Sequence, residues 1–238
     1  MATETPRAPD QTLADLYPEF LAALLAGDRR RCEALTDQCL GAQVPILALY
    51  QQLFQRALYQ VGEEWQYNRI SVGRERLATA IVEGLLNRLY PRVITPQRSG
   101  RRIIVGSVEG ELHQVGAKMV CDVFEMHGWE AIYLGADTPT TELLRTVLDL
   151  RPDAVGLSLS VYFHLGALLT ALARLRGAHP ELPILIGGQG LRQIGPTLSD
   201  DRKVHYAADL DALERLVKRL PVTDPPPEGS AAHGQIRA

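Results

Sequence analysis

Apolar positions recur at helical spacing through the first ninety residues. From Thr12 to Ala26 the run is Leu13, Leu16, Tyr17, Phe20, Leu21, Leu24 and Leu25, and Gly27-Asp28 reads as a stop followed by a new N-cap. A second helix holds Cys32, Leu35 and Leu40 and ends near Gly41. Pro45 suits the first turn of a third, which carries Ile46, Leu47, Tyr50, Leu53, Phe54, Leu58, Tyr59 and Val61. Ile70-Ser71 opens a fourth, with Leu77, Ala80, Ile81, Leu85, Leu86 and Leu89. Four antiparallel helices with short joints predict a bundle over residues 11–92. From Pro91 the helical pattern breaks, and 93–101 reads as a linker. Short apolar strands then alternate with helices. The strands fall at 102–108, 130–135, 153–158 and 183–187, with a weak fifth near 203–206. Helices are expected at 114–127, 139–150, 163–177, briefly after Gly190, and at 208–220. This alternation predicts a doubly wound, five-stranded parallel sheet of flavodoxin or Rossmann type over 102–220. Residues 1–10 and the proline-rich 221–238 have little to bury and are expected to be disordered.

Charge and composition narrow the function classes. A formal net charge of -3 argues against a nucleic-acid-binding face. The densest basic run, Arg29-Arg30-Arg31, reads as a solvated helix start. No apolar run approaches the roughly 18 residues of a membrane span, and the N-terminus lacks the apolar core of a signal peptide. Cys32, Cys39 and Cys121 show neither metal-ligand spacing nor a disulfide framework. A cytoplasmic protein without direct nucleic-acid or membrane contact is expected.

The chemistry concentrates in Ile103–Gly116, IIVGSVEGELHQVG. A strand, a loop with Glu111 two residues before His113, and a helix place one imidazole at the carboxyl edge of the sheet, where open α/β folds bind ligands. A carboxylate bonded to one ring nitrogen leaves the other free and more basic, the usual support of a metal-bound imidazole. Taken alone, Glu111 and His113 also read as a surface pair, and a lone histidine is more often structural than a ligand. Gly116 lets backbone approach a bulky ligand.

This stretch resembles the cobalamin-binding domain of methionine synthase, corrinoid proteins and cobalamin photoreceptors. The family pattern is Asp/Glu-x-His-x-x-Gly, about 41 residues, Ser-x-Leu, 26 to 28 residues, then Gly-Gly. Here Glu111, His113 and Gly116 are followed after 41 residues by Ser158-Leu159-Ser160, and after 26 more by Gly187-Gly188. The resemblance implies that His113 ligates cobalt from below, with Leu112, Gln114, Val115 and Val161 beside it. The dimethylbenzimidazole tail would lie in a cleft lined by Ser158, Ser160, Gly187 and Gly188. Ser160 stands where leucine is usual. Asp137, Thr138 and Pro139 are expected at the cofactor rim, although capping explains the first two equally well. His164 is a further candidate to meet the cofactor.

The bundle resembles the cap of light-sensing cobalamin proteins, whose pattern is Gly-x-x-Trp, nine residues, Glu-His. Trp65 and Glu75 match at that spacing and would face the upper side of the corrin, the tryptophan covering an upper ligand such as adenosyl. Arg76 replaces the histidine, and Gln66 replaces a histidine that some photoreceptors use to capture cobalt. A guanidinium suits carboxylates, so Arg76 raises a bilin or haem as an alternative pigment; a surface contact with Glu75 or Glu63 explains it as well. The favoured reading is a sensor holding adenosylcobalamin or methylcobalamin, responsive to light. It would signal through a homo-oligomer or a partner regulatory protein, since no DNA-binding domain is read. The alternative is a corrinoid carrier, the subunit of a methyltransferase, with no catalytic module of its own.

Overall fold

The computed structural model describes residues 9–198 and 200–220. The ends expected to be disordered lie outside these, apart from Pro9 and Asp10, which open the first helix. Helices α1 (Pro9–Ala26) and α2 (Arg29–Gly41) meet at Gly27, whose φ of +76° makes the reversal, and the Asp28 carboxylate caps α2 by accepting from Arg31 N. The third helix begins as α3 (Ile46–Ala48), widens into π turns over Leu49–Gln55 and returns to α geometry as α4 (Arg56–Gln66). Pro45 stands just outside it as the N-cap rather than in its first turn. Helix α5 (Val72–Val93) is capped by the Ser71 hydroxyl, which accepts from Arg74 N. It runs through Pro91, where a break was expected. A proline in the last turn removes a single ladder bond, and the helix ends only at Ile94, which takes up extended backbone.

The α/β half is a five-stranded parallel sheet in the order β2-β1-β3-β4-β5, built from β1 (Arg102–Val108), β2 (Glu130–Thr138), β3 (Ala154–Ser158), β4 (Ile184–Gly187) and β5 (Val204–Ala207). Strand β2 runs three residues past its expected end, with register shifts against β1 at Gly106 and Val108. Helices α6 (Val115–Met126) and α9 (Leu210–Val217) lie on one face; α7 (Thr140–Leu150) and α8 (Leu165–Ala178) lie on the other. Alternation along β1 divides the core: Ile103 and Val105 face α6, while Ile104 and Val108 face α7 and α8.

The first of these cores does not stop at the α/β half. It runs without a break from α6 into the bundle, where Phe20, Tyr50 and Phe54 stack with centroids 5.6 and 6.0 Å apart. Polar contacts stitch the same seam. The Tyr50 hydroxyl donates to Asp122 at 2.7 Å, Gln114 Nε2 donates to Glu83 at 2.7 Å, and Lys118 reaches Asn87. The linker is pinned too, by Arg98 on Glu125 and Ser99 on the Gly128 carbonyl. The order 2-1-3-4-5 reverses direction between β1 and β3, which opens the ligand crevice of a doubly wound sheet at their carboxyl ends.

Candidate functional site

The β1–α6 loop is fixed from three sides before it presents any side chain. Gly110 turns it with φ +82°, and its N–H donates to the Asp137 carboxylate at 2.7 Å. Asp137, itself at φ +47°, returns its own N–H to the Glu111 carbonyl, and the Ser107 hydroxyl donates to the His113 carbonyl at 2.8 Å.

Glu111 is fully buried, and both carboxylate oxygens are used. Oε1 accepts from the His113 backbone N at 2.9 Å and from the ring Nδ1 at 2.6 Å. Oε2 accepts from Ser160 N and Val161 N, each at 2.8 Å, so one side chain ties the loop after β1 to the loop after β3. Burial alone would raise this carboxyl; the ring hydrogen bond and three backbone N–H groups outweigh it and hold the pKa at about 2. An ionised acceptor fixes Nδ1 as the protonated ring nitrogen. The bond to Glu111 also raises the pKa of His113 against the opposing effect of burial, with the charges of Glu111 and Glu75 adding to it. Nε2 has no hydrogen-bond partner among the described residues, and the His113 side chain is 58% exposed.

That imidazole lies on the wall of a cleft of about 1070 Å³ between the bundle and the carboxyl edge of the sheet. The volume lies just above the roughly 300–1,000 Å³ usual for small-molecule sites. Leu112, His113, Gln114, Val115 and Gly116 line it after β1, Ser158, Ser160 and Val161 at and beyond the end of β3, and Gly187 and Gly188 at the end of β4. The bundle contributes Trp65, Glu75 and Arg76. Glu111, which holds the His113 ring, stands behind the wall rather than on it. Small residues shape the space. A Cβ at Gly116 would meet nothing within 4 Å, whereas one at Gly188, where φ is +113°, would overlap the Leu159 carbonyl. The second glycine thus lets the β4 turn lie against the backbone after β3.

The donor set suits a metal that brings its own equatorial ligands. Among the described residues no three His, Cys, Asp or Glu side chains cluster to hold a bare ion. What the chain offers is one oriented imidazole beside a large cavity with glycine and serine walls. A corrinoid fits that arrangement.

Other expectations moved. His164 does not line the cavity; it packs on Gly110, its Nδ1 2.9 Å from where a Cβ would stand. Asp137, Thr138 and Pro139 are not on the rim either: β2 continues through Asp137 and Thr138, Pro139 is the N-cap of α7, and Asp137 holds the β1 loop from behind. Arg76 forms no ion pair with Glu75 or Glu63; Glu75 instead accepts from the Thr79 hydroxyl. Sequence reasoning missed Glu83, Thr79, Tyr59 and Arg192, all on the cavity wall. For two of these a signal existed: Glu75, Thr79 and Glu83 follow at i, i+4 and i+8, one stripe of α5.

Comparison with known proteins agrees with this geometry. Residues 101–212 match the model of the B12 binding domain, and residues 16–90 match a second B12 binding domain model. Over 175 residues the chain is 31% identical to the HTH-type transcriptional repressor CarH of Myxococcus xanthus, covering 73% of this chain and 57% of that protein. It is 23% identical over 139 residues to the trimethylamine corrinoid protein of Methanosarcina barkeri, covering 55% of this chain and 62% of that one. The chain therefore spans somewhat more than half the length of these relatives. Its fold is that of the Methanosarcina barkeri monomethylamine corrinoid protein, with a TM-score of 0.71 at 15% identity over 87% of this chain and 99% of that one. With both halves matched and the crevice formed as described, the chain belongs to the B12 binding domain family and is a cobalamin-binding protein.

Proposed function

We propose that the chain is a cytoplasmic cobalamin-dependent sensor, responsive to light, that signals by changing its contacts with further copies of itself or with a regulatory partner. The observation that carries this is the His113 ring, held by a buried Glu111 and left with a free Nε2 on a cavity that Trp65 and Glu75 wall from the bundle side. In this reading Nε2 would hold cobalt, Glu111 fixes the tautomer and orientation of the ring, and Ser158, Ser160, Gly187 and Gly188 would hold the nucleotide tail. Trp65 and Glu75 keep water from the upper side. Bound cobalamin supplies a cobalt–carbon bond that visible light can break. The similarity to a transcriptional repressor supports a regulatory role. A membrane-spanning role finds no support, since none of the described helices is long and apolar enough to cross a bilayer.

The test is an absorption spectrum and a sizing run of the protein loaded with adenosylcobalamin in the dark, repeated after green light. A changed spectrum together with a changed assembly state is expected. An unchanged pair sinks the light-sensing role, and a dark spectrum identical in His113→Ala sinks the ligand assignment.

A second reading, a corrinoid carrier in methyl transfer, is favoured by the absence of an upper imidazole at Gln66 and Arg76 and by the corrinoid-protein relative. It is distinguished by methyl transfer from the methylcobalamin-loaded protein to a partner methyltransferase. Arg76, on the cavity wall without an acidic partner among the described residues, favours a third, a bilin or haem pigment. Uptake of biliverdin or haem that is lost in Arg76→Ala would establish it.

A further inference from the structure

Two guanidinium groups line the cavity, Arg76 from the bundle and Arg192 from the turn after β4. Neither is neutralised by an ion pair among the described residues. They differ in how they are held. Arg192 lies over a neutral ring, its guanidinium carbon 5.0 Å from the centroid of Tyr59 on α4, so the contact reaches from the α/β half to the bundle. The turn that carries it is anchored by a buried side chain and backbone hydrogen bonds. Leu191 is fully buried, Gly190 N donates to the Leu159 carbonyl at 3.1 Å, and Arg192 N donates to Gln189 at 3.3 Å. A fixed cation, oriented by an aromatic face and keeping its charge, is a receptor for an anion.

Cobalamin narrows which anion. Its corrin periphery carries neutral amides, and its anionic group is the phosphodiester that joins the nucleotide tail to the ring. Arg192 follows Gly187 and Gly188, the glycines read above as the wall of the tail cleft, by only a few residues. Arg76 belongs instead to the first turns of α5, beside Glu75. We propose that Arg192, held in place by Tyr59, binds the phosphodiester of the nucleotide tail and so makes the site selective for complete corrinoids over those that lack a nucleotide. This rests on the cofactor reading above and assigns the selectivity to residues outside the His113 motif.

The experiment compares adenosylcobalamin with adenosylcobinamide, which has the same ring and upper ligand but no nucleotide, by spectral titration of the full chain in the dark. Arg192→Gln is expected to weaken adenosylcobalamin about tenfold, the scale of one lost charge-assisted hydrogen bond. Its affinity for adenosylcobinamide is expected to stay within about twofold, which also reports that the variant is folded. Tyr59→Phe keeps the ring and is expected to leave both affinities in place, while Tyr59→Ala releases the guanidinium and follows Arg192→Gln. Adenosylcobinamide phosphate, which has the phosphate without the base, should retain the dependence on Arg192. Equal losses on both corrinoids would make Arg192 a clasp between the two halves and overturn the assignment, as would no loss on either; both leave the cofactor reading standing. Failure of the wild-type chain to bind either corrinoid overturns both.

Discussion

The carboxylate of Glu111 accepts four hydrogen bonds, and three of their donors are backbone N–H groups that have nowhere else to turn. A neutral amide of the same shape cannot replace it. Glu111→Gln would set an NH2 group against either the Ser160 and Val161 amides or the His113 pair, leaving donors facing donors in a buried site. The expected loss is about 2–4 kcal/mol, seen as a lower urea midpoint of the cofactor-free protein at neutral pH with an unchanged denaturant slope. The role of this residue was legible because its two-residue spacing from His113 on a strand-to-helix turn has few other uses. Its second grip, on the β3 loop, was not. Backbone N–H groups leave no mark in the sequence, and the partners lie about fifty residues away. His164 shows the reverse case, where a residue type suited to chemistry is used for packing on Gly110.

Helix α6 carries the seam between the halves, and one of its residues makes that seam sensitive to pH. Asp122 is 2% exposed and accepts from the Tyr50 hydroxyl; burial pushes its pKa up to about 6, although the Tyr50 bond and Lys118 oppose it. The folded chain then holds a proton that the unfolded chain, titrating near 4, has already released. This contribution to stability is present below about pH 4, declines as pH rises to 6 and stays absent above that, a swing of about 3 kcal/mol. Asp122→Asn keeps an acceptor for Tyr50 and removes the titration. It is expected to stabilise the protein by about 2 kcal/mol at pH 7.5 and hardly at all at pH 4, measured by urea melts at the two values. Elements were the scale at which the sequence was most readable: each strand and helix of the α/β half lies within a few residues of its expected place. The π turns over Leu49–Gln55 were not readable, since one added residue per turn barely shifts an apolar stripe over seven positions. Nor was the passage of α5 through Pro91, which only the position of the proline in the last turn permits.

At the scale of the whole molecule, bundle and sheet are joined by one continuous apolar core. The chain pattern indicated two units and a linker; it could not indicate that α6 serves both. A fragment beginning at residue 94 would expose the side of α6 that packs on α5, together with Asp122 stripped of Tyr50. Such a fragment is expected to aggregate or to melt well below the full chain, whereas residues 9–220 should unfold in a single transition. Sizing and calorimetry of the two would decide it, and independent folding of the fragment with a native melting point would refute it.

The cavity lies in that seam, with walls supplied by both halves and bridged by Arg192 on Tyr59. A guest seated there is mortar as well as cargo: it completes an interior that is otherwise held along α6 and at a few polar stitches. Without it the halves are held by the α6 core and those stitches alone, so filling or emptying the space is expected to change how firmly they close on one another.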